Sequence, residues 1–213
     1  KRIDYKPSIL AQSLRTNKTY TIGLLIPSID NPYFATIASE IVFEAKRYGY
    51  TVILLDTLED EGNESECINT LLTRSIDGII LVPCGERPES LEKIDEQTPI
   101  VLIDRYFEDT SLSYICTDNY RGALDGVKLL IENGHKEILC IRGVPHSMPS
   151  KERVKGYIDA LRESGFDTRS RIAGNDYSIT NGYLETKLAI GCPARPTAIF
   201  ALSNTIMLGA IRA

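Results

Sequence analysis

The chain has 213 residues, 43% of them hydrophobic and 25% charged, with a net charge of −5. This is the composition of a globular protein able to bury one large core or two small ones. It excludes a chain that lies on nucleic acid over its whole surface, and neither a long apolar run for a membrane span nor a secretory leader is present.

The charge is uneven. Residues 1–19 hold Lys1, Arg2, Lys6, Arg15 and Lys18 against Asp4 alone. A segment of about +4 therefore precedes a body of about −9, a localised electrostatic footprint. A solvated polar leader has the same charge pattern.

From residue 21 onward, short β-branched runs alternate with segments of helical period. Strands are predicted at 21–27, 51–56, 78–83, 99–104, 113–118, 137–142 and 197–202. Most are continuously apolar, which suits parallel strands buried on both faces. The first helix is predicted over 33–48, with Phe34, Ile37, Ala38, Ile41, Val42 and Ala45 facing the core and Gly49 as its stop. A second over 64–75 buries Cys67, Ile68, Leu71 and Leu72. A third over 121–133 buries Leu124, Val127, Leu130 and Ile131, and ends at Gly134. A fourth over 151–164 buries Val154, Ile158 and Leu161, and ends at Gly165. The order predicts an α/β fold with parallel sheets and right-handed crossovers. Such sheets bind ligands at the carboxyl ends of their strands.

Catalytic and cofactor motifs are missing. No Gly-x-Gly and no Gly-x4-Gly-Lys occur, so neither a dinucleotide fingerprint nor a phosphate-cradling loop is present. There is no Gly-x-Ser-x-Gly and no His-Glu-x-x-His. His135 follows a helix stop and reads as a capping or surface residue, and His146 as a loop residue. Cys67, Cys84, Cys116, Cys140 and Cys192 are odd in number and widely spaced. They read as small buried apolar residues in a reducing compartment, not as disulfides or a zinc site. No catalytic residue, metal or cofactor is expected.

The ordered motifs resemble the LacI/GalR family of bacterial transcription regulators along nearly the whole chain. Tyr5-Lys-Pro-Ser-Ile-Leu-Ala-Gln-Ser-Leu-Arg15 is similar to the family's hinge helix. Thr21-Ile-Gly-Leu-Leu-Ile-Pro27 with Asn31-Pro-Tyr-Phe34 is similar to its first strand and ligand loop. Asp77-Gly-Ile-Ile80, Ile103-Asp-Arg105, Asp118-Asn119, Gly134-His135, Glu152-Arg-Val-Lys-Gly-Tyr157, Ser203-Asn204 and Leu208-Gly209 follow in family order.

The resemblance implies a periplasmic-binding-protein-like core of two parallel-sheet lobes flanked by helices. Residues 1–19 would be the hinge and linker, 20–119 the amino-terminal lobe and 120–213 part of the carboxyl-terminal lobe. The family's helix-turn-helix domain is not in the sequence. Tyr33, Phe34, Asp104, Arg153, Tyr177 and Asn204 match effector-binding positions. Phe34 is also in register with the helix core face, Tyr33 is off it, and Arg153 also reads as an exposed helix charge. The family has an acidic residue after the matched Asn204, where this chain has Thr205. Asp118 and Asn119 are expected to organise the crossover between lobes.

In the hinge, Pro7 suits a first helical position, and a helix over 7–15 is too short to be stable alone. By resemblance Leu14 is the wedge that kinks the DNA minor groove, with Arg15 and Lys18 on phosphates. Leu10 and Leu14 also form an i, i+4 pair that would merely pack on the core. The resemblance implies a cytoplasmic homodimeric repressor with a sugar or nucleobase-like effector, operator DNA as the partner of the full-length protein, and no membrane. A periplasmic sugar receptor and an α/β enzyme are the rival readings.

Overall fold

The computed structural model describes residues 18–85, 88–166 and 171–213. The hinge helix, with Leu14 and Arg15, lies outside the described residues. Lys18 is described and exposed. Two compact units divide the chain, Lys1–Cys116 and Thr117–Ala213.

The first unit is built on a parallel sheet in the order β2-β1-β3-β4-β5. Its strands are β1 Thr21–Ile26, β2 Thr51–Asp56, β3 Gly78–Leu81, β4 Ile100–Ile103 and β5 Ser113–Ile115. Its helices are α1 Pro32–Arg47, α2 Glu61–Leu72 and α3 Glu89–Asp95. Pairing β1 with both β2 and β3 sets Leu24 opposite Leu54 and Ile80.

Alternate residues of β1 feed opposite faces. Leu24 and Ile26 join Phe34, Ala38 and Val82, while Leu25 joins Ile68, Leu71, Ile79, Leu81 and Leu102. Burial on both sides explains why the strand reads as one apolar run. Gly23 is fixed by packing, because a Cβ there would sit 2.3 Å from Leu71 Cδ1.

The second unit has a three-stranded parallel sheet in the order β7-β6-β8, formed by β6 Ile138–Ile141, β7 Arg171–Ala173 and β8 Ala198–Ala201. Its helices are α4 Asn119–Glu132, α5 Met148–Glu163, α6 Ile179–Gly191 and α7 Asn204–Arg212. Leu124, Val127, Cys140, Tyr157, Ala160 and Leu161 lie in one core cluster; Leu139, Ile141 and Ile206 form another. Helices approach closely through glycine. A Cβ on Gly182 would meet the Ile206 carbonyl oxygen at 2.0 Å, and one on Gly209 the Ile179 carbonyl oxygen at 2.0 Å.

In a parallel sheet every following helix starts at the carboxyl edge, so its cap marks that edge. Asn31 caps α1, Asp60 caps α2, Asp118 caps α4, Ser178 caps α6 and Ser203 caps α7, each side chain accepting from a backbone N–H. These caps also correct the predicted starts. Behind its cap Asp60, α2 begins at Glu61, three residues before residue 64, and α5 begins at Met148 with Pro149 in its first turn.

Other expectations fail. Val42 is exposed, because α1 buries the narrower stripe Phe34, Ala38 and Ala45. Cys116 and Cys192 are exposed, and only Cys140 is fully buried. β7, α3, α6 and α7 were not among the predicted elements. No helix among the described residues is long and apolar enough to cross a membrane.

Candidate functional site

In the first unit, Tyr33 stands in the first turn of α1 and remains 39% exposed. Its hydroxyl donates to Asp104 Oδ1 at 2.8 Å. Phe34, by contrast, is 5% exposed and belongs to the core beside Leu24 and Ile26. It meets the Tyr33 ring edge-on at 5.2 Å and so supports that ring from below. Core packing and not surface contact is therefore its observed role.

Asp104 directly follows β4 with φ +65°, and Leu58 and Glu59 after β2 have φ of +54° and +56°. Left-handed backbone at non-glycine residues costs about 1 kcal/mol or more each and gathers where a site is being shaped. Arg105 holds these turns together. Its Nη1 is 2.6 Å from Glu59 Oε1 and donates to the Pro83 carbonyl at 3.3 Å, while Nε lies 4.0 Å from Asp104 Oδ2. Asp56 ties the neighbouring loops by accepting from Ile29 N and Leu58 N.

Beneath them Glu64, 5% exposed, accepts from Cys84 N at 2.6 Å. Burial pushes its pKa above the ordinary carboxylate value, partly opposed by that hydrogen bond. Burial also pushes the Cys84 thiol up to about 12, against the lowering effect of Thr57, whose Oγ1 is 3.0 Å from its Sγ. Cys84 is therefore a protonated, packed thiol at neutral pH.

In the second unit, Arg153 of α5 spans three elements. Its Nε donates to Asn119 Oδ1 at 2.8 Å and its Nη1 to the Leu202 carbonyl just after β8. Arg153, Asn119, Ala123, Phe200 and Leu202 help to line a cavity of about 210 Å³. Asn119 is 3% exposed, and its Nδ2 has no hydrogen-bond partner among the described residues. An unmet buried donor costs about 1–3 kcal/mol, so this position is not optimised for the fold alone.

Tyr177 follows β7 and its hydroxyl lies 2.8 Å from Ser147 Oγ. Its ring rests on Gly143, where a Cβ would come within 2.0 Å of Cε1. Asn204 opens α7 and is exposed, with Oδ1 accepting from Thr205 N. Thr205, in place of an acidic residue, donates its Oγ1 proton to the Tyr177 carbonyl and so ties the β7 loop to α7.

Among the predicted residues, Tyr33 meets Asp104 and Phe34 directly in the first unit; in the second, Arg153 lines the cavity beside Asn119, while Tyr177 contacts Ser147 and Thr205, the neighbour of Asn204. Sequence reasoning missed Glu59, Ser147 and the role of Asn119 toward Arg153. The usable signal for Asn119 was its place directly after the cap Asp118, at a sheet edge.

Residues 19–213 match the family described as periplasmic binding proteins and sugar binding domain of the LacI family, and the chain belongs to that family. It is 33% identical to the NTD biosynthesis operon regulator NtdR of Bacillus subtilis over 99% of this chain and 64% of that one. It is 30% identical to a sucrose operon repressor of Klebsiella pneumoniae over 98% of this chain and 63% of that one. The chain therefore spans slightly less than two thirds of these relatives. Among solved structures, the transcription regulator CcpA of Lactococcus lactis superimposes with a TM-score of 0.79 at 27% identity, covering 91% of this chain and 71% of that one.

Proposed function

We propose that this chain is the effector-binding core and hinge of a transcriptional repressor, a binding protein and not an enzyme. The observation that carries the reading is the reach of the match. Regulators align over 99% of the chain, taking in the basic leading segment that precedes the family core at residue 19. A solute receptor has no use for that segment.

In this reading Tyr33, Asp104, Arg153, Tyr177 and Asn204 contact a small polar metabolite, with Phe34 backing Tyr33. Ring faces, a carboxylate, a guanidinium and an amide suit a sugar or a nucleobase. Leu14 wedges the DNA minor groove, and Arg15 and Lys18 meet phosphates. A homodimer pairs two hinges, and the exposed Val42 and Phe43 of α1 supply apolar surface for its interface. Effector and DNA affinities are then coupled reciprocally, through differential affinity for two states.

The test uses the full-length protein and the DNA upstream of its own gene. D-ribose, sucrose, adenosine and guanine are screened by thermal shift against wild type and Arg153→Ala. A hit should raise the wild-type melting temperature, lose at least tenfold affinity in the variant, and change DNA affinity at least fivefold. Saturable binding with no effect on DNA moves the chain to the solute-receptor branch. Turnover of the metabolite would make it an enzyme.

A further inference from the structure

Arg153 is held from behind. Asn119, the first residue of α4, accepts from Nε at 2.8 Å, and the carbonyl of Leu202, just after β8, accepts from Nη1. Among the described residues Nη2 has no such partner. Two anchors on adjacent nitrogens fix both the plane and the direction of a guanidinium, because its donors form a rigid fork.

We propose that Asn119 is a positioning residue, whose Oδ1 locks the Arg153 guanidinium so that Nη2 is presented to an acceptor oxygen of the effector. This rests on the reading of Arg153 as an effector contact.

The residue type supports the assignment. An aspartate at 119 would suit the first position of a helix, would pair with Arg153 and would carry no unmet donor. The fold alone therefore favours aspartate. Asparagine supplies the same anchoring oxygen but leaves the positive charge uncancelled, available to an oxygen-rich ligand. The unpartnered Nδ2 of a side chain 3% exposed is the trace of that choice.

The first arm of the experiment needs no ligand. Exchange of the Arg153 Nε proton with water is followed by NMR in the full-length protein, its signal assigned by loss in Arg153→Lys. Asn119→Ala should speed this exchange at least tenfold, and Asn119→Asp should leave it slow. Unchanged exchange in Asn119→Ala overturns the proposal.

The second arm titrates D-ribose, sucrose, adenosine and guanine. For a compound that binds, Asn119→Ala should weaken affinity at least tenfold in wild type and less than twofold in the Arg153→Ala background. Asn119→Asp should melt no lower than wild type yet bind at least threefold more weakly. Equal losses in both backgrounds, or a lower melting temperature with unchanged affinity, reduce Asn119 to a direct contact or a structural residue and overturn the proposal. Binding that ignores Arg153→Ala sinks the effector role of that arginine, and this proposal with it, whatever the exchange arm reports about the anchor.

Discussion

Each unit carries an arginine at the carboxyl edge of its sheet, and the two are used differently. Arg105 is 7% exposed and engages Glu59, Pro83 and Asp104. It behaves as a structural bolt across three loops. Arg153 is partly exposed and anchored on two nitrogens, and the third has no hydrogen-bond partner among the described residues. Residue type and edge position are the same in both. Partners decide which cation belongs to the fold and which is open to a ligand.

The comparison predicts unequal damage. Arg105→Ala removes the positive charge from between Glu59 and Asp104 and should destabilise the first unit by about 3 kcal/mol, the low end for a broken buried pair because Glu59 is partly exposed. Arg153→Ala should cost the second unit only about 1 kcal/mol, the scale of a net hydrogen bond, with its main effect on binding. Hydrogen-exchange mass spectrometry resolved by unit measures both. Equal losses would erase the distinction.

A change that ignores charge sharpens the same contrast. Gly182→Ala drives a Cβ against the Ile206 carbonyl, so α6 and α7 must part. Overpacking of this kind costs about 2 kcal/mol, and protection should fall in the second unit alone.

The smallest expected effect is one of pH. Burial raises the Glu64 pKa above its ordinary value of 4.5, so the fold prefers the protonated form. Its contribution is fully present below that ordinary value and is lost as pH rises through the raised one. Glu64→Gln should therefore stabilise the first unit by less than about 1 kcal/mol at pH 7 and not at all at pH 4. Denaturation midpoints at the two pH values check the sign.

Phe34 and Tyr33 show that helical register, already legible in the sequence, decides between two readings of one motif. Both match ligand positions and both are aromatic. Helical register separates them, and the core around Leu24 and Ile26 takes Phe34. α6 went unseen because its apolar residues do not form one clean stripe, with Leu184 and Leu188 exposed and Gly182 making the helix contact, and α7 because it spans only Asn204–Arg212. β7 is only three residues long, too short for a periodic signal.

The sequence by itself determined the alternation of parallel strands and helices and the family, because apolar runs and short ordered motifs are local properties of the chain. Tertiary structure alone decided which of two arginines is buried among carboxylates and which keeps a guanidinium nitrogen open. That difference arises from contacts between loops far apart in sequence, where burial and hydrogen-bond partners, and not residue type, set what a side chain can do.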